Sequence, residues 1–206
     1  MFDSIIAKEG QKSIFIAFIA MLVFILAECS FFAFISFALV LVFIFVYRNN
    51  ALKINSNTDG ILSPISGVVS AIDLKDSNKL IYINVSLCNS HILRAIEDGS
   101  FKVTYKRGLN LSLSTFKAKA LNEKAIIEFE NSSLELISSM CNTTIDIKEN
   151  SKSSKGERIG VFLQGQVVIT IKPEFESLVK IGDKVESGIT AIASKIVLEE
   201  KEEENI

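Results

Sequence analysis

GERIGVFLQGQVVITIKP, residues 156–173, holds the pattern from which the fold class can be read. Two apolar runs, Arg158–Leu163 and Val167–Ile171, flank the tripeptide Gln164-Gly165-Gln166. The second run alternates, with Val167, Ile169 and Ile171 on one side and Val168 and Thr170 on the other. That period of two is expected of a strand with one covered face. Glycine tolerates positive φ and a close approach of another backbone, so a tight turn is expected at Gly165.

The same grammar extends in both directions. Short runs rich in Ile, Val, Leu and Phe, separated by Gly, Asn, Asp and Ser, predict further strands at Gly67–Asp73, Leu80–Val85, Lys102–Arg107, Ala125–Glu130 and Ser133–Ser139. AIIEFE, residues 125–130, alternates as VVITIK does. One piece, Glu174–Lys180, reads as a short helix. KENSKSSK, residues 148–155, is a polar interruption expected to form a mobile surface loop. The charge run at Glu199–Asn205 reads as a frayed acidic tail. The expected unit is thus a mostly β domain over residues 59–198, with a polar linker over 48–58 before it and a tail over 199–206 after it.

Ahead of the linker the composition changes. Ile14–Tyr47 is apolar except for Glu28-Cys29-Ser30. As one helix rising about 1.5 Å per residue it would overshoot a hydrocarbon core of about 30 Å. A helical hairpin fits better, with arms Ile14–Ala27 and Phe31–Tyr47, either transmembrane or re-entrant, after an N-terminal segment of residues 1–13. Lys8, Lys12, Arg48 and Lys53 flank its two open ends. The positive-inside tendency then puts those ends, and the domain that follows, on the cytoplasmic side of the inner membrane. Glu28 falls at the tip, where its charge avoids the hydrocarbon. A cleaved signal peptide is disfavoured because the chain stays apolar after Ser30, and a lipoprotein signal because a glutamate precedes Cys29.

Charge and cysteines exclude several classes. A formal net charge of -2 and the absence of a basic stripe give no electrostatic reason to expect nucleic acid. Three cysteines, Cys29, Cys88 and Cys141, are odd in number and widely spaced, which argues against a disulfide framework. Cys88 and His91 have a Cys-x-x-His spacing, but His91 is the only histidine and a structural zinc site needs about four ligands, so no metal is expected. Cys88 reads instead as a buried thiol beside a strand end.

Several motifs, in order along the chain, carry a resemblance. They are FVYRNN at 45–50, LSPISGVV at 62–69, NSHILRAIEDG at 89–99, LNEKAIIEFE at 121–130, the opening stretch at 156–173, and KIGDKVESGITAIA at 180–193. Together they resemble the short, membrane-attached form of the phosphatidylserine decarboxylase family, and the resemblance covers nearly the whole chain. It implies a barrel-sandwich-like β core. LSPISGVV and IGDKVESGI are also similar to the two halves of lipoyl and biotinyl carrier domains, but Asp183-Lys184 lies inside the Gly182–Gly188 turn rather than on an exposed hairpin.

In the family, a serine after the glycine of the opening stretch attacks the preceding carbonyl, the chain is cut, and the serine becomes the pyruvoyl group that serves as electron sink. Here that position is Gln166, whose side chain has no hydroxyl and no leaving group for elimination. The family's processing acid, in a Ser-Pro-x-Asp-Gly turn, is replaced by Ser66. Its histidine is present as His91. No pyruvoyl cofactor is therefore expected, and Gly165, Gln166 and Ser66 are the equivalents of a processing site. Members of one catalytic unit act together, so loss of the nucleophile removes the reason to keep the rest.

The resemblance then implies a membrane protein of phospholipid (phosphatidylethanolamine) metabolism that binds a head group such as phosphatidylserine, or a partner enzyme. Arg94 and Arg158 are the candidate phosphate or carboxylate ligands, with backbone amides near Gly67 and Gly165. Two alternatives stay open: an active decarboxylase using another cleavage bond or an external carbonyl cofactor, with His91 as its acid or base, and a structural membrane adaptor.

Overall fold

The computed structural model describes residues 8–47, 60–142, 145–148 and 152–196. The expected linker at 48–58, the acidic tail, Arg48 and Lys53 lie outside these residues. Two helices come first, α1 (Lys8–Leu26) and α2 (Ser30–Val46), packed against each other. Glu28, with φ 54°, turns the chain between them, so the hairpin forms with its tip where the apolar run is broken. Large apolar side chains point outward along both arms, among them Phe15, Ile16, Phe31 and Phe34, each more than 60% exposed. At about 1.5 Å per residue α2 is roughly 25 Å long. Among the described residues no helix is long and apolar enough to cross a membrane, so the spanning form of the hairpin has no support in helix length.

The β domain is built on one antiparallel sheet of seven strands. Their order is β12 (Lys184–Val185), β2 (Gly67–Lys75), β3 (Asn78–Val85), β10 (Gly165–Ile171), β7 (Ser132–Ser138), β6 (Lys124–Glu128) and β5 (Lys102–Lys106). Two three-stranded sheets complete it. One is ordered β1 (Gly60–Leu62), β13 (Ala191–Lys195), β11 (Phe175–Ser177), the other β4 (Ile92–Arg94), β9 (Arg158–Val161), β8 (Asp146–Ile147). A short helix, α3 (Phe116–Leu121), lies between β5 and β6, capped by Thr115.

β10 sits at the centre, paired along its full length with β3 on one side and β7 on the other. Val167, Ile169 and Ile171 share one face as predicted, but the opposite face is not open, since Gln166 and Val168 are 8% and 5% exposed on a strand flanked by neighbours on both sides. Val167, Ile169 and Ile171 are buried in one core with Ile81, Ile83, Leu134 and Leu136, to which β1, β4, β9 and β13 contribute Ile61, Leu93, Ile159 and Ile192.

All seven predicted strands are present, with ends displaced by one or two residues. The helix expected over Glu174–Lys180 is instead strand β11: Phe175 and Val179 are buried while Glu176 is exposed, a period of two, and Phe175 pairs with Lys195. Seven residues with two buried positions are too few for an apolar helical stripe, and the free edge of β13 takes them. The polar stretch 148–155 is not wholly solvated: Ser153 is buried and exchanges backbone hydrogen bonds with Gly99 in both directions. Residues 149–151 lie outside the described set.

Ile169, fully buried in the central strand, tests the arrangement. Ile169→Ala should lower unfolding free energy by about 2–5 kcal/mol, read as a lower urea midpoint with an unchanged m-value.

Candidate functional site

One end of the large sheet collects the loops that carry the candidate residues. The loop from Leu62 to Gly67 joins β1 to β2 and is tied down from several directions. Ser63 Oγ donates to Ile65 O at 2.8 Å, and Pro64 O accepts from the Arg94 amide at 2.8 Å. Ser66 Oγ accepts from the Ser187 amide at 3.0 Å, and Ser187 Oγ reaches Pro64 O and Ile92 O at 3.1 and 2.9 Å. The backbones of Ser63 and the 188–190 turn exchange hydrogen bonds, and β12 pairs with the start of β2. LSPISGVV and IGDKVESGI, far apart in sequence, are thus joined into one seam.

The second wall is the loop after β3. Asn89 Oδ1 accepts from the amide and hydroxyl of Ser86 at 2.9 and 2.7 Å, closing a local turn. His91 follows, 2% exposed, with Nε2 3.0 Å from Leu87 O, an arrangement in which Nε2 carries the proton. Arg94 ends β4 and donates through Nη1 to Gly156 O at 2.9 Å. Burial pushes its pKa below the usual guanidinium value. Holding a charged guanidinium at such a place favours an anionic partner.

Between these walls opens a cavity of about 230 Å³ lined by Ser66, Gly67, Cys88, Ser90, Arg94 and Ser187, with Lys184 and Glu186 also on its wall. It therefore brings together three of the predicted residues, Ser66, Gly67 and Arg94. His91, Arg158, Gly165 and Gln166 do not line it. Arg158 lies directly across the ladder from Arg94, on β9. Cys88, expected as a buried thiol, is exposed, because the loop after Val85 leaves the sheet and carries it to the cavity wall.

Gly165 opens β10 at φ 150°, and a Cβ there would strike the carbonyl oxygen of Ile137 and the ring of Phe162. Close approach of the β7 backbone thus requires this glycine. Gln166 is 8% exposed and donates from Nε2 to Asn84 Oδ1 at 3.0 Å. The register puts Lys184, Val68, Asn84, Gln166, Ile137 and Lys124 in one row across six strands. Gln166 is consequently two strands, about 10 Å, from Val68 at the cavity wall, on the same face of the sheet.

The family profile described as phosphatidylserine decarboxylase matches residues 39–193. The chain belongs to the phosphatidylserine decarboxylase family. It is 30% identical over 174 residues to a phosphatidylserine decarboxylase proenzyme of Wolbachia pipientis wMel, covering 73% of this chain and 74% of that one. A proenzyme of the same name from Wolbachia sp. subsp. Brugia malayi (strain TRS) is 29% identical over 170 residues, with the same coverage. One from Carboxydothermus hydrogenoformans is 27% identical over 174 residues, 76% of this chain and 81% of that one. No solved structure matches the chain at a significant level.

Within the family's motifs, the Asn-Glu pair before β6 has a plain architectural use here. Asn122, 1% exposed, bonds Leu111 through both amide atoms and also Ser138 O, while buried Glu123 pairs with Arg107 and accepts from the Ile145 amide at 3.3 Å. Sequence reasoning missed Cys88, Ser90, Lys184, Glu186 and Ser187 as cavity residues. The 180–193 motif was visible, but nothing in it showed that Ser187 would meet Ser66 across 121 positions.

Gly165→Ala should destabilise the domain by at least about 1–3 kcal/mol, from the strained φ alone, with the Ile137 clash added. Thermal melting would show it as a drop of several degrees.

Proposed function

We propose that this protein is a membrane-attached member of phospholipid metabolism that does not convert itself into a pyruvoyl enzyme, and that its cavity holds an anionic phospholipid head group. The carrying observation is the residue after Gly165. The family makes its carbonyl cofactor from a serine at that junction, and the side chain here is a carboxamide bonded to Asn84. The residues present do not fit a pyruvoyl group. Ser66 stands at the position of the family's processing acid and is engaged in accepting from the Ser187 amide, a structural use of a hydroxyl. His91, the one member of that constellation retained, bonds the carbonyl of its own turn.

What remains is a polar cleft with cationic groups. Arg94 and Lys184 offer charge for a phosphate or carboxylate, Glu186 offers a partner for an amine, and the hydroxyls of Ser66, Ser90 and Ser187 line the floor. That combination suits a head group bearing phosphate, carboxylate and ammonium, such as that of phosphatidylserine, better than one without the carboxylate. The helical hairpin supplies attachment: outward apolar side chains on both arms favour lipid, both of its ends leave on one side, and Lys8 and Lys12 in the first turns of α1 favour the cytoplasm for that side.

Intact-mass measurement on protein purified from its host membrane tests the loss of processing. One uncut chain of 22.7 kDa is expected; two fragments, the second with a blocked keto N-terminus, would overturn the reading. Flotation with vesicles tests the cleft. Binding should be stronger with phosphatidylserine than with the equally charged phosphatidylglycerol, and Arg94→Ala should reduce that preference about tenfold, the loss of one charge-assisted hydrogen bond. Equal binding to both lipids by the unaltered protein would leave only an adaptor role.

A further inference from the structure

The connection between β5 and β6 has a property that the cleft does not use. KRGLNLSLSTFKAKAL, residues 106–121, contains four cations and no acid in a chain whose formal net charge is -2; Arg107 is paired with Glu123 just beyond the stretch, and Lys106, Lys117 and Lys119 supply its outward charge. Leu109, Leu111 and Leu121 are 54%, 42% and 51% exposed, and Met140, beyond the end of β7, is 65% exposed. Single exposed leucines are ordinary, but these belong to one patch. The Leu109 amide donates to Leu121 O at 2.9 Å, and Asn122 bonds both Leu111 and Ser138 O. Asn110 Nδ2 reaches Asn142 O at 3.1 Å, tying the connection to the segment that carries Met140.

The Asn122 side chain is 1% exposed and anchors the connection from inside, while Leu109, Leu111 and Leu121 face outward, beside exposed Ser112 and Ser114, from a backbone fixed on both sides. The patch is therefore pre-formed. We infer that residues 106–121, with Met140, dock the β domain onto an anionic lipid bilayer, the leucines entering the interface and the lysines meeting acidic head groups. Charge complementarity selects this occupant: a cationic rim around an apolar centre is the combination that binds anionic lipid surfaces. The location agrees. β5 ends at Lys106, β6 begins at Lys124 and β7 ends at Ser138, the same end of the sheet at which Gly67, Gly165 and the cavity lie. Docking here turns that end toward the lipid. The inference does not depend on what the cleft binds.

The chain has no tryptophan, so one introduced at a chosen site reports alone. Full-length Leu111→Trp protein is mixed with vesicles of phosphatidylcholine containing a minority of phosphatidylglycerol, with and without brominated acyl chains. Expected are a blue shift and bromine quenching, both reduced severalfold by added salt and by the Lys117→Glu/Lys119→Glu pair. Leu74→Trp, on the strand running to the turn at the opposite end of the sheet, should stay water-like. Quenching of a Phe34→Trp reporter in α2 without quenching at position 111 would overturn the inference, leaving the hairpin as the sole attachment and the head-group reading untouched. A lipid-independent blue shift that grows with protein concentration would also overturn it, in favour of contact between copies. Preference for phosphatidylserine over equally charged phosphatidylglycerol in the flotation assay is a separate readout, so either reading can fail without the other.

Discussion

The ladder on both sides of β10 is the constraint to which the rest of the domain answers. Seven consecutive residues, Gly165–Ile171, are paired with β3 and with β7, so the strand's backbone groups find partners within the sheet and its alternate side chains fill the core. A strand so placed cannot shift by one residue without exchanging Val167, Ile169 and Ile171 for Gln166, Val168 and Thr170. Register at the centre then fixes register in β2, β6 and β5 outward, and with it the row that sets Gln166 beside Asn84.

The junction Gly165-Gln166 is gripped on both sides by this ladder. Gly165 is required because Ile137 O and Phe162 stand where a side chain would go, and that requirement persists whatever residue follows. At the seam, Ser66 and Ser187 join distant segments through their hydroxyls and hold the walls of the cleft together.

Much of this was legible in the sequence because it is periodic or local. VVITIK and AIIEFE announced β10 and β6 by alternation, and the interruption at Glu28 announced the hairpin turn. What escaped notice is non-local. β1, β4 and β12 are two or three residues long, too short for any period, and exist because partner strands recruit them. The stretch 174–180 reads as a helix in sequence because its two buried residues, Phe175 in β11 and Val179 beyond it, gain meaning only against β13. At the site, Arg94 and Ser66 could be singled out by motif, but Lys184, Glu186 and Ser187 reach the cavity through a pairing between residues more than a hundred positions apart. Cys88 looked like a core thiol because its neighbours are apolar, yet the chain has left the sheet by that point.

The margins of the seven-stranded sheet have a consequence of their own. One border, β12, offers just two residues, and the other, β5, carries exposed Lys102 and Lys106 at its two ends. Exposed strand borders are templates for fibrillar growth, and brevity and lysine are two of the devices that blunt them. Molecules of this chain crowded together would thus find it hard to zip strand against strand, a safeguard against aggregation written into the outermost positions of the fold.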